Sequence, residues 1–372
     1  MSKILLVYFR WPYPETDGLK LKLLNIARQL SKNHTVDLVA LNDGPLASTD
    51  DPEKLFNDVK VFPFSKLRGA LNSLRFLFND KPMQVNYFYF KKVKDYINGV
   101  YKNYDLVLCE HVRTAEYVRD LPVRKFLDFM DAQSLHYEEA IAKSSGLWHW
   151  IYRMELKRLK RYEQQMMETF DKTFVVSPYD SQYLGGKPIV ITNGVRPELF
   201  KRKFEGKEED WIVFLGKMDY NPNVDAVKYF VNEVLPLIPN VKFYIVGVSP
   251  SKEVLKLQSD RVIVTGFVDD PYQYMEKAKV VVAPIRFSGG IQNKVLEAMA
   301  LGKPVVTTTN CARSISDELV IADNATEMAA KINELLKDEQ KRKALGRRYR
   351  QIVQQNFTWD KFGEKLLKEM NA

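Results

Sequence analysis

The chain of 372 residues has only two cysteines, Cys109 and Cys311, and neither belongs to a C-x-x-C pair. A disulfide scaffold and a zinc ribbon are therefore excluded, and a reducing compartment fits. No apolar run approaches the roughly 18 residues that a membrane span needs. The N-terminal apolar run, residues 4–9, is shorter than a signal-peptide core and ends at Arg10, so we expect a cytoplasmic protein.

Several motifs of cofactor-dependent enzymes are also missing. The sequence has no G-x-G-x-x-G, which disfavours a dinucleotide-binding fold of the usual kind. It has no phosphate loop of the G-x-x-x-x-G-K-[ST] type, because Gly185-Gly186-Lys187 is followed by Pro188. The histidines at 34, 111, 136 and 149 lack the spacing of metal ligands. We therefore expect neither a bound metal nor a cofactor.

Acidic residues are outnumbered by basic ones, which gives a formal charge of +9 and a pI near 9.1. Such a surface favours anionic partners: nucleic acid, anionic lipid or phosphorylated substrates. The sequence contains no nucleic-acid-binding motif and no run of four basic residues. We therefore expect no nucleic-acid partner.

What the chain does contain is a strand–helix alternation that occurs twice. Short apolar runs are rich in Val, Ile and Leu and do not alternate strictly with polar residues, as is typical of buried parallel strands. Between these runs, amphipathic patterns such as Gly18–Leu30, Asn223–Leu237 and Ile291–Leu301 predict helices. The strand candidates are Ile4–Phe9, Val36–Leu41, Val59–Phe64, Leu106–Cys109, Lys125–Phe129, Thr173–Val176, Ile189–Thr192, Trp211–Leu215, Phe243–Val246, Val262–Val264, Val280–Ala283 and Val305–Thr308.

This repetition predicts an α/β protein with two doubly wound, Rossmann-like parallel-sheet domains that face each other across a cleft. A polar stretch after Thr192 separates the halves. The prediction assigns residues 1–195 to an N-terminal domain and 196–357 to a C-terminal domain. After Thr309 the chain is expected to be helical to its end. Thr358 is expected to cap a last helix, residues 358–372, which would pack back on the first domain.

A strand end, a small-residue turn and a helix follow one another between Ala283 and Pro304. Gly289 and Gly290 let backbone amides approach a ligand closely, and the helix N-terminus offers N–H groups and a positive dipole end to an anion. Glu297, further into the helix, could accept hydrogen bonds from a vicinal diol such as ribose. The alternative is an ordinary turn with a solvated glutamate.

The same stretch resembles the C-terminal signature of retaining glycosyltransferases of the large family-four type, which have the GT-B fold and include many enzymes of bacterial surface polysaccharides. The similarity is carried first by Leu296–Ala300 and Gly302–Val306. Further segments extend it over most of the chain: Gly18, Val176-Ser177, Ile191–Val195, Phe214–Met218 and Thr265–Val268.

The resemblance implies roles for individual residues. Glu297 would hold the ribose hydroxyls of a nucleoside diphosphate sugar, and Val268 would touch the base through its backbone. The diphosphate would be bound by Gly18 of the facing domain and by the amides of Gly290, Ile291, Gln292 and Asn293.

Two departures from the family pattern concern the donor site. Gly289 stands where the family has the first of two glutamates, so that sugar contact would either be missing or be replaced by backbone groups with help from Ser288. Lys217 stands for a family arginine, but no lysine follows it at the family's position. Lys294 and Arg286 are the candidates for that charge, while Lys217 could equally be a solvated surface lysine.

In the first domain, Asp131 follows a buried strand and would either bind a sugar hydroxyl or cap the next helix. His111 is the histidine best placed to contact donor or acceptor, although a core histidine is the alternative. A long helix, Trp148–Phe170, has a basic face with Trp148 and Trp150 at its start. It could rest on anionic lipid or simply face solvent. The basic residues are Arg153, Lys157, Lys160 and Arg161.

Together these features predict a retaining glycosyltransferase that needs no metal and moves a sugar from a nucleoside diphosphate sugar, with UDP as the expected nucleotide. The acceptor would be a glycan or a lipid-linked molecule in cell-surface polysaccharide synthesis, and the enzyme would be cytoplasmic or peripheral on the inner membrane face. One alternative is a UDP-sugar 2-epimerase, which shares the fold and needs no acceptor. The other is a hinged two-domain ligand-binding protein without turnover.

Overall fold

A computed structural model describes residues 1–15, 18–43, 49–141, 144–287 and 290–372. The chain divides into two units, the first comprising Met1–Thr192 with Gly363–Ala372 and the second Asn193–Phe362. The boundary between the units lies before the domain boundary predicted after residue 195, because Val195 pairs with Thr358 and packs into the core of the second unit.

The first unit is built on a parallel sheet with strand order β3-β2-β1-β4-β5-β6-β7. Leu6 of the central strand lies between Leu38 and Leu108 of its neighbours, and all three are almost fully buried. Burial on both faces explains why these strands show no alternation of polar residues. The strands are Lys3–Tyr8 (β1), Thr35–Asp43 (β2), Asp58–Phe64 (β3), Leu106–Glu110 (β4), Lys125–Met130 (β5), Lys172–Val175 (β6) and Ile189–Val190 (β7).

Among the described residues, α-helices connect β1 to β2, β3 to β4, β5 to β6 and β6 to β7, as is usual for parallel pairing, and a 3₁₀ turn lies between β4 and β5. The described helices are Gly18–Leu30 (α1), Lys66–Ser73 (α2), Met83–Tyr87 (α3), Lys91–Val100 (α4), Gln133–Ile141 (α5), Gly146–Thr169 (α6) and Pro178–Tyr183 (α7). Single 3₁₀ turns occupy Leu74–Leu77, Tyr101–Asn103 and Val112–Tyr117.

The second unit repeats the plan with strand order β10-β9-β8-β11-β12-β13. Its strands are Glu209–Leu215 (β8), Lys242–Val246 (β9), Val262–Gly266 (β10), Ala278–Ala283 (β11), Val305–Thr307 (β12) and Val320–Ile321 (β13). Its helices are Glu198–Lys201 (α8), Asn221–Tyr229 (α9), Lys252–Leu255 (α10), Tyr272–Lys277 (α11), Asn293–Ala300 (α12), Thr309–Ala312 (α13), Ala325–Lys337 (α14) and Glu339–Asn356 (α15). The two parallel-sheet α/β domains predicted from the sequence are confirmed.

The last helix, Trp359–Asn371 (α16), begins in the second unit and belongs to the first from Gly363 onward. Thr358 caps it, because its hydroxyl accepts a hydrogen bond from the Lys361 amide at 3.2 Å. Near its end, Arg124 donates to the Met370 carbonyl at 2.6 Å and Lys172 lies 2.9 Å from the Glu369 carboxylate. These bonds fix the end of the helix to β5 and β6.

Three local predictions were wrong. The chain is not wholly helical after Thr309, because β13 pairs with β12; with two residues it is too short to show a pattern. The predicted helix Asn223–Leu237 changes to a π turn at Phe230 and a 3₁₀ turn at Leu235, where Pro236 cannot donate to an α-helical bond. Helix α12 starts at Asn293 rather than Ile291, because Gln292 is still extended.

Within the described ranges, no helix is both long and apolar enough to cross a membrane.

Candidate active site

Most of the predicted donor-site residues lie at the carboxyl edge of the second sheet. Gly216 follows β8, Val268 follows β10 and Arg286 follows β11, while α12 carries Lys294 and Glu297. Because all strands of this sheet are parallel, these ends meet at one edge, which is where doubly wound sheets bind ligands. The sheet therefore gathers residues from distant parts of the chain.

Glu297 is partly buried on the second turn of α12. The Tyr272 hydroxyl donates to its Oε1 at 3.2 Å. Burial raises the pKa of Glu297 to about 7, against the opposing effects of the Tyr272 hydroxyl and the Arg196 guanidinium. A carboxylate held in this way can accept hydrogen bonds from the two hydroxyls of a ribose.

Sequence reasoning missed both neighbours of Glu297. Arg196 comes directly after Ile191–Val195, a segment that carried the family resemblance, so its position was a usable signal. Tyr272 gave none, because its contact with Glu297 joins two separate helices of the second unit.

Lys294 lies one turn before Glu297 and is directed at the end of β8. Its Nζ donates to the side-chain oxygen of Asn223 and lies 4.4 Å from the centre of the Phe214 ring. Burial lowers the pKa of Lys294 to about 8. A Cβ on Gly216 would lie 2.6 Å from the Asn223 amide nitrogen and 3.3 Å from Lys294 Nζ, so a larger residue here would displace the Asn223 side chain.

The other two candidate cations are paired with acids. Arg286 makes two bonds to Asp225, at 3.0 and 2.7 Å, and lies 4.7 Å from the centre of the Tyr229 ring. Lys217 Nζ is 3.2 Å from Asp219 Oδ2, and its side chain is 61% exposed. Lys294, by contrast, contacts the neutral Asn223. Of the three cations, we therefore expect Lys294 to attract an anionic ligand most strongly.

The start of α12 supplies backbone donors. Within the described residues, Gln292 caps the helix without a side-chain bond to a first-turn amide; its Nε2 instead donates to the Gly290 carbonyl at 3.2 Å. Asn293 is exposed, whereas Ile291 packs against the core of the second unit. The predicted contacts at Ser288 and Gly289 lie outside the described residues.

Val268 follows a turn at Gly266, whose φ of +66° suits glycine. The Val268 side chain packs against the core of the second unit, whereas the neighbouring Phe267 is 74% exposed. The predicted backbone contact of Val268 with a base stays a prediction, as does the approach of Gly18, which begins α1 in the first unit.

In the first unit, Asp131 and His111 follow the adjacent strands β5 and β4. Asp131 Oδ2 lies 3.9 Å from Nε2 of His136, and this carboxylate helps to raise the pKa of His136 against the effect of burial. The amide of Ser134, at the start of α5, is bound at 3.1 Å by the buried Glu163 of α6. Glu163 thus takes the capping role that the sequence left open for Asp131.

His111 is 3% exposed, and its Nδ1 accepts a 3.4 Å bond from the Arg113 amide. Burial holds the pKa of His111 well below its usual range, so the imidazole is neutral at pH 7. The Arg113 guanidinium, which the sequence did not single out, lies beside two contacting aromatic rings, 4.8 Å from the centre of Phe9 and 5.1 Å from the centre of Phe88. It donates to Gln84 at 3.1 Å.

Beneath this edge lies a group of buried charges. Lys22 of α1 forms an ion pair with Asp128 of β5, and both side chains are almost fully buried. Asp128 also accepts a 2.8 Å bond from the Met130 amide. Burial and the Asp128 charge raise the pKa of the adjacent Glu110 well above its ordinary value, which favours its neutral, protonated form.

No group of three or more His, Cys, Asp or Glu residues in the described part of the chain is arranged to hold a metal ion.

Residues 209–338 match the family described as glycosyl transferases group 1. The matched range contains β8, Val268, Lys294 and Glu297. The matched range lies entirely within the second unit. No curated protein sequence matches the chain.

Solved structures resemble the chain over its whole length. HepE of Anabaena in complex with UDP has 16% identity and a TM-score of 0.69, with 99% of each chain covered. A TarM variant of S. aureus in complex with Fondaparinux, alpha-GlcNAc-glycerol and UDP has 12% identity and a TM-score of 0.71, with both chains fully covered. The N-terminal domain of Candida albicans trehalose-6-phosphate phosphatase has 12% identity and a TM-score of 0.69, covering 100% of this chain and 97% of that one. At such identities the similarity shows the fold, which is GT-B.

Proposed function

We propose that the protein is a retaining glycosyltransferase that moves a sugar from a UDP-sugar to a glycan or lipid-linked acceptor in the synthesis of a cell-surface polysaccharide. The observation that carries the proposal is the group 1 glycosyl transferase match of residues 209–338, which includes both Lys294 and Glu297. UDP is the nucleotide bound in the HepE and TarM structures.

The donor would bind along α12. Glu297, supported by Tyr272, accepts hydrogen bonds from the ribose hydroxyls. The diphosphate lies at the helix N-terminus, where the first-turn amides and Lys294 Nζ are donors. One helix thereby binds both chemically distinct parts of the nucleotide.

The reaction breaks the bond between the sugar C1 and the diphosphate oxygen, and the departing diphosphate gains negative charge. Amides fixed at a helix N-terminus and a lysine ammonium stabilise that charge without rearranging. These groups can do the work that a metal ion does elsewhere, so we expect transfer without an added divalent cation.

The first unit would bind the acceptor at the carboxyl ends of β4 and β5. In the Asp131–His136 pair, the carboxylate can accept a hydrogen bond from a sugar hydroxyl and the imidazole can donate one. The Arg113 guanidinium, which contacts two phenylalanine rings, adds a positive charge at the same edge.

A thermal-shift panel with UDP, GDP, ADP and TDP tests the nucleotide. A ligand present at 100 times its Kd stabilises the folded state by about 2.7 kcal/mol. UDP should give the largest shift. An equal response to all four nucleotides, or none to UDP, would contradict the proposed donor.

Turnover separates the enzyme classes. UDP release from UDP-glucose, UDP-galactose and UDP-N-acetylglucosamine is measured with and without a membrane glycolipid extract as acceptor source, once in EDTA and once in parallel with added Mn²⁺. Acceptor-dependent UDP release supports transfer. Inversion at C2 of the sugar nucleotide without acceptor would indicate the epimerase instead, and release that requires Mn²⁺ would contradict the metal-free chemistry.

A further inference from the structure

Helix α2 and the 3₁₀ turn after it are oriented with their leucines toward solvent. Leu67, Leu71 and Leu74 follow helical spacing and are 72, 58 and 51% exposed. The opposite side faces the protein, where a Cβ on the buried Gly69 would collide with the Tyr87 ring at 2.6 Å. Amphipathic helices of soluble domains normally have the reverse orientation, with the apolar stripe against the core.

The exposed apolar surface continues past the helix. In the following turn Leu77 is 64% exposed, and Phe78 directly after it is 89% exposed. We call the five side chains the leucine face: Leu67, Leu71, Leu74, Leu77 and Phe78. A contiguous apolar area of this kind on a soluble protein marks an interaction site.

The charge of the segment is of one sign. Residues 66–78 contain three basic residues, Lys66, Arg68 and Arg75, and no acidic residue. All three are exposed, and the contacts of two are weak: Lys66 lies 3.7 Å from Asp43, and Arg75 reaches the Tyr89 carbonyl at 3.4 Å.

The N-terminal turns of α6 add to the same side of the first unit. Arg158 of α6 donates to the carbonyls of Phe76 and Asn79 at 2.9 and 3.0 Å, which joins the helix to the leucine face. Leu147 lies eleven residues earlier, about 20° away around the helix at 100° per residue. Leu147 is 71% exposed, so at the start of α6 this side of the helix presents an apolar side chain to solvent.

A second row on α6 combines tryptophan and basic residues. Trp150, Lys157 and Arg161 fall within about 40° of one another around the helix. Trp150 is 61% exposed, and Arg161 lies 3.8 Å from the exposed Asp80, which follows the leucine face closely in sequence. Trp148 is 62% exposed as well.

From these features we propose that the leucine face and the start of α6 form a docking surface for an anionic lipid bilayer. Leucine and phenylalanine side chains would enter the acyl boundary, the tryptophans would lie at the headgroup level, and the basic residues would contact lipid phosphates. Charge complementarity favours lipid over a second copy of this chain, because the same basic surface on two copies would repel.

Flotation of the full chain with vesicles tests the surface, using phosphatidylcholine alone and phosphatidylcholine mixed with phosphatidylglycerol. We expect binding to the mixed vesicles that weakens with salt, and roughly tenfold less binding to neutral ones. The assay needs no sugar donor, so its result is independent of the proposed transfer activity.

Two paired variants separate the apolar and charged parts. Leu71→Ser with Phe78→Ser should lower the partition at least about tenfold, since two side chains leave the acyl boundary. Arg68→Gln with Arg75→Gln should lower it similarly and flatten the salt dependence. Leu255→Ser, at a leucine of the second unit that is 51% exposed, is the matched control and should bind like wild type.

The proposal is overturned if the wild-type protein does not bind anionic vesicles, or if the leucine-face variants bind them as strongly as wild type does. It is also overturned if size-exclusion chromatography shows a dimer that dissociates in the Leu71→Ser, Phe78→Ser variant while no protein binds the vesicles. The surface would then bind a second copy of the chain. Circular dichroism of each variant checks folding. If the paired variant is unfolded, Leu71→Ser and Phe78→Ser are measured singly.

Discussion

The two units have the same strand–helix plan but different charges at their carboxyl edges. In the first unit, Lys22 and Asp128 neutralise each other in a fully buried ion pair. In the second unit, Lys294 is partly buried and contacts a neutral amide. We expect the first pair to stabilise the fold, and we propose that the second cation binds an external anion. The same residue type thus serves structure at one edge and, in our proposal, ligand binding at the other.

The largest expected effect is on the buried pair. Lys22→Ala leaves the Asp128 charge buried and without its partner, which should lower the free energy of unfolding by about 3–5 kcal/mol. Urea denaturation followed by circular dichroism measures this. Lys22→Met combined with Asp128→Asn is the control and should recover most of the loss, because no uncompensated charge remains. Wild-type stability in Lys22→Ala would show that the pair is unimportant for folding.

The next effect concerns the ribose contact in the second unit. Glu297→Ala should weaken UDP binding by roughly 1.5–3 kcal/mol, the usual contribution of hydrogen bonds to a charged group. Calorimetry should show nearly the same loss for uridine, since the ribose is common to both ligands. The control is Glu327→Ala, because Glu327 is exposed on α14. Glu276 is unsuitable as a control because it forms an ion pair with Arg202. Unchanged UDP affinity in folded Glu297→Ala would rule out the assignment.

The pH dependence of UDP binding should reflect both residues of α12. Glu297, with a pKa raised to about 7, must be ionised to accept ribose hydrogen bonds, so affinity should fall below pH 7. Lys294, with a pKa lowered to about 8, must be protonated to attract the diphosphate, so affinity should also fall above pH 8. Each limb approaches tenfold per pH unit at most.

Calorimetric titrations of UDP across this pH range measure both limbs, and the variants assign them. Glu297→Gln should remove the contribution of Glu297 to the acid limb, and Lys294→Ala should remove the alkaline limb. A profile that is identical in wild type and both variants would mean that neither group titrates against the ligand.

The smallest effect is on the stability of the ligand-free protein. Lys294→Ala removes a hydrogen bond to Asn223 but also relieves the burial of a cation. These terms oppose each other, so the free energy of unfolding should change by less than about 1 kcal/mol. The same urea experiment that finds a large loss in Lys22→Ala checks this. A comparable loss in Lys294→Ala would remove the distinction between the two units.

The fold could be predicted from the sequence because its strands are continuous apolar runs. Strands buried on both faces, such as Lys3–Tyr8 with its run Ile-Leu-Leu-Val, favour Val, Ile and Leu, and that pattern is visible in the sequence without knowledge of the neighbouring strands. Short elements such as Val320–Ile321 carry no pattern, and they form only because a neighbouring strand is present.

The site was predicted less completely, for a physical reason. The family resemblance pointed to Glu297, and a departure from the family pattern made the nearby Lys294 a candidate for a missing charge. Their partners Tyr272 and Asn223 come from other helices and are brought close only by the packing of the second unit. The same holds for Glu163, which caps a helix far from it in sequence.

One crossed measurement tests the central claim most directly, namely that α12 binds the ribose at Glu297 and the diphosphate at Lys294. UDP and uridine are each titrated by calorimetry into wild type, Glu297→Ala and Lys294→Ala. We expect Glu297→Ala to weaken both ligands alike, and Lys294→Ala to weaken UDP by about tenfold or more while leaving uridine nearly unchanged. If Lys294→Ala weakens both ligands equally, or if neither folded variant differs from wild type, the nucleotide does not bind along α12 as proposed.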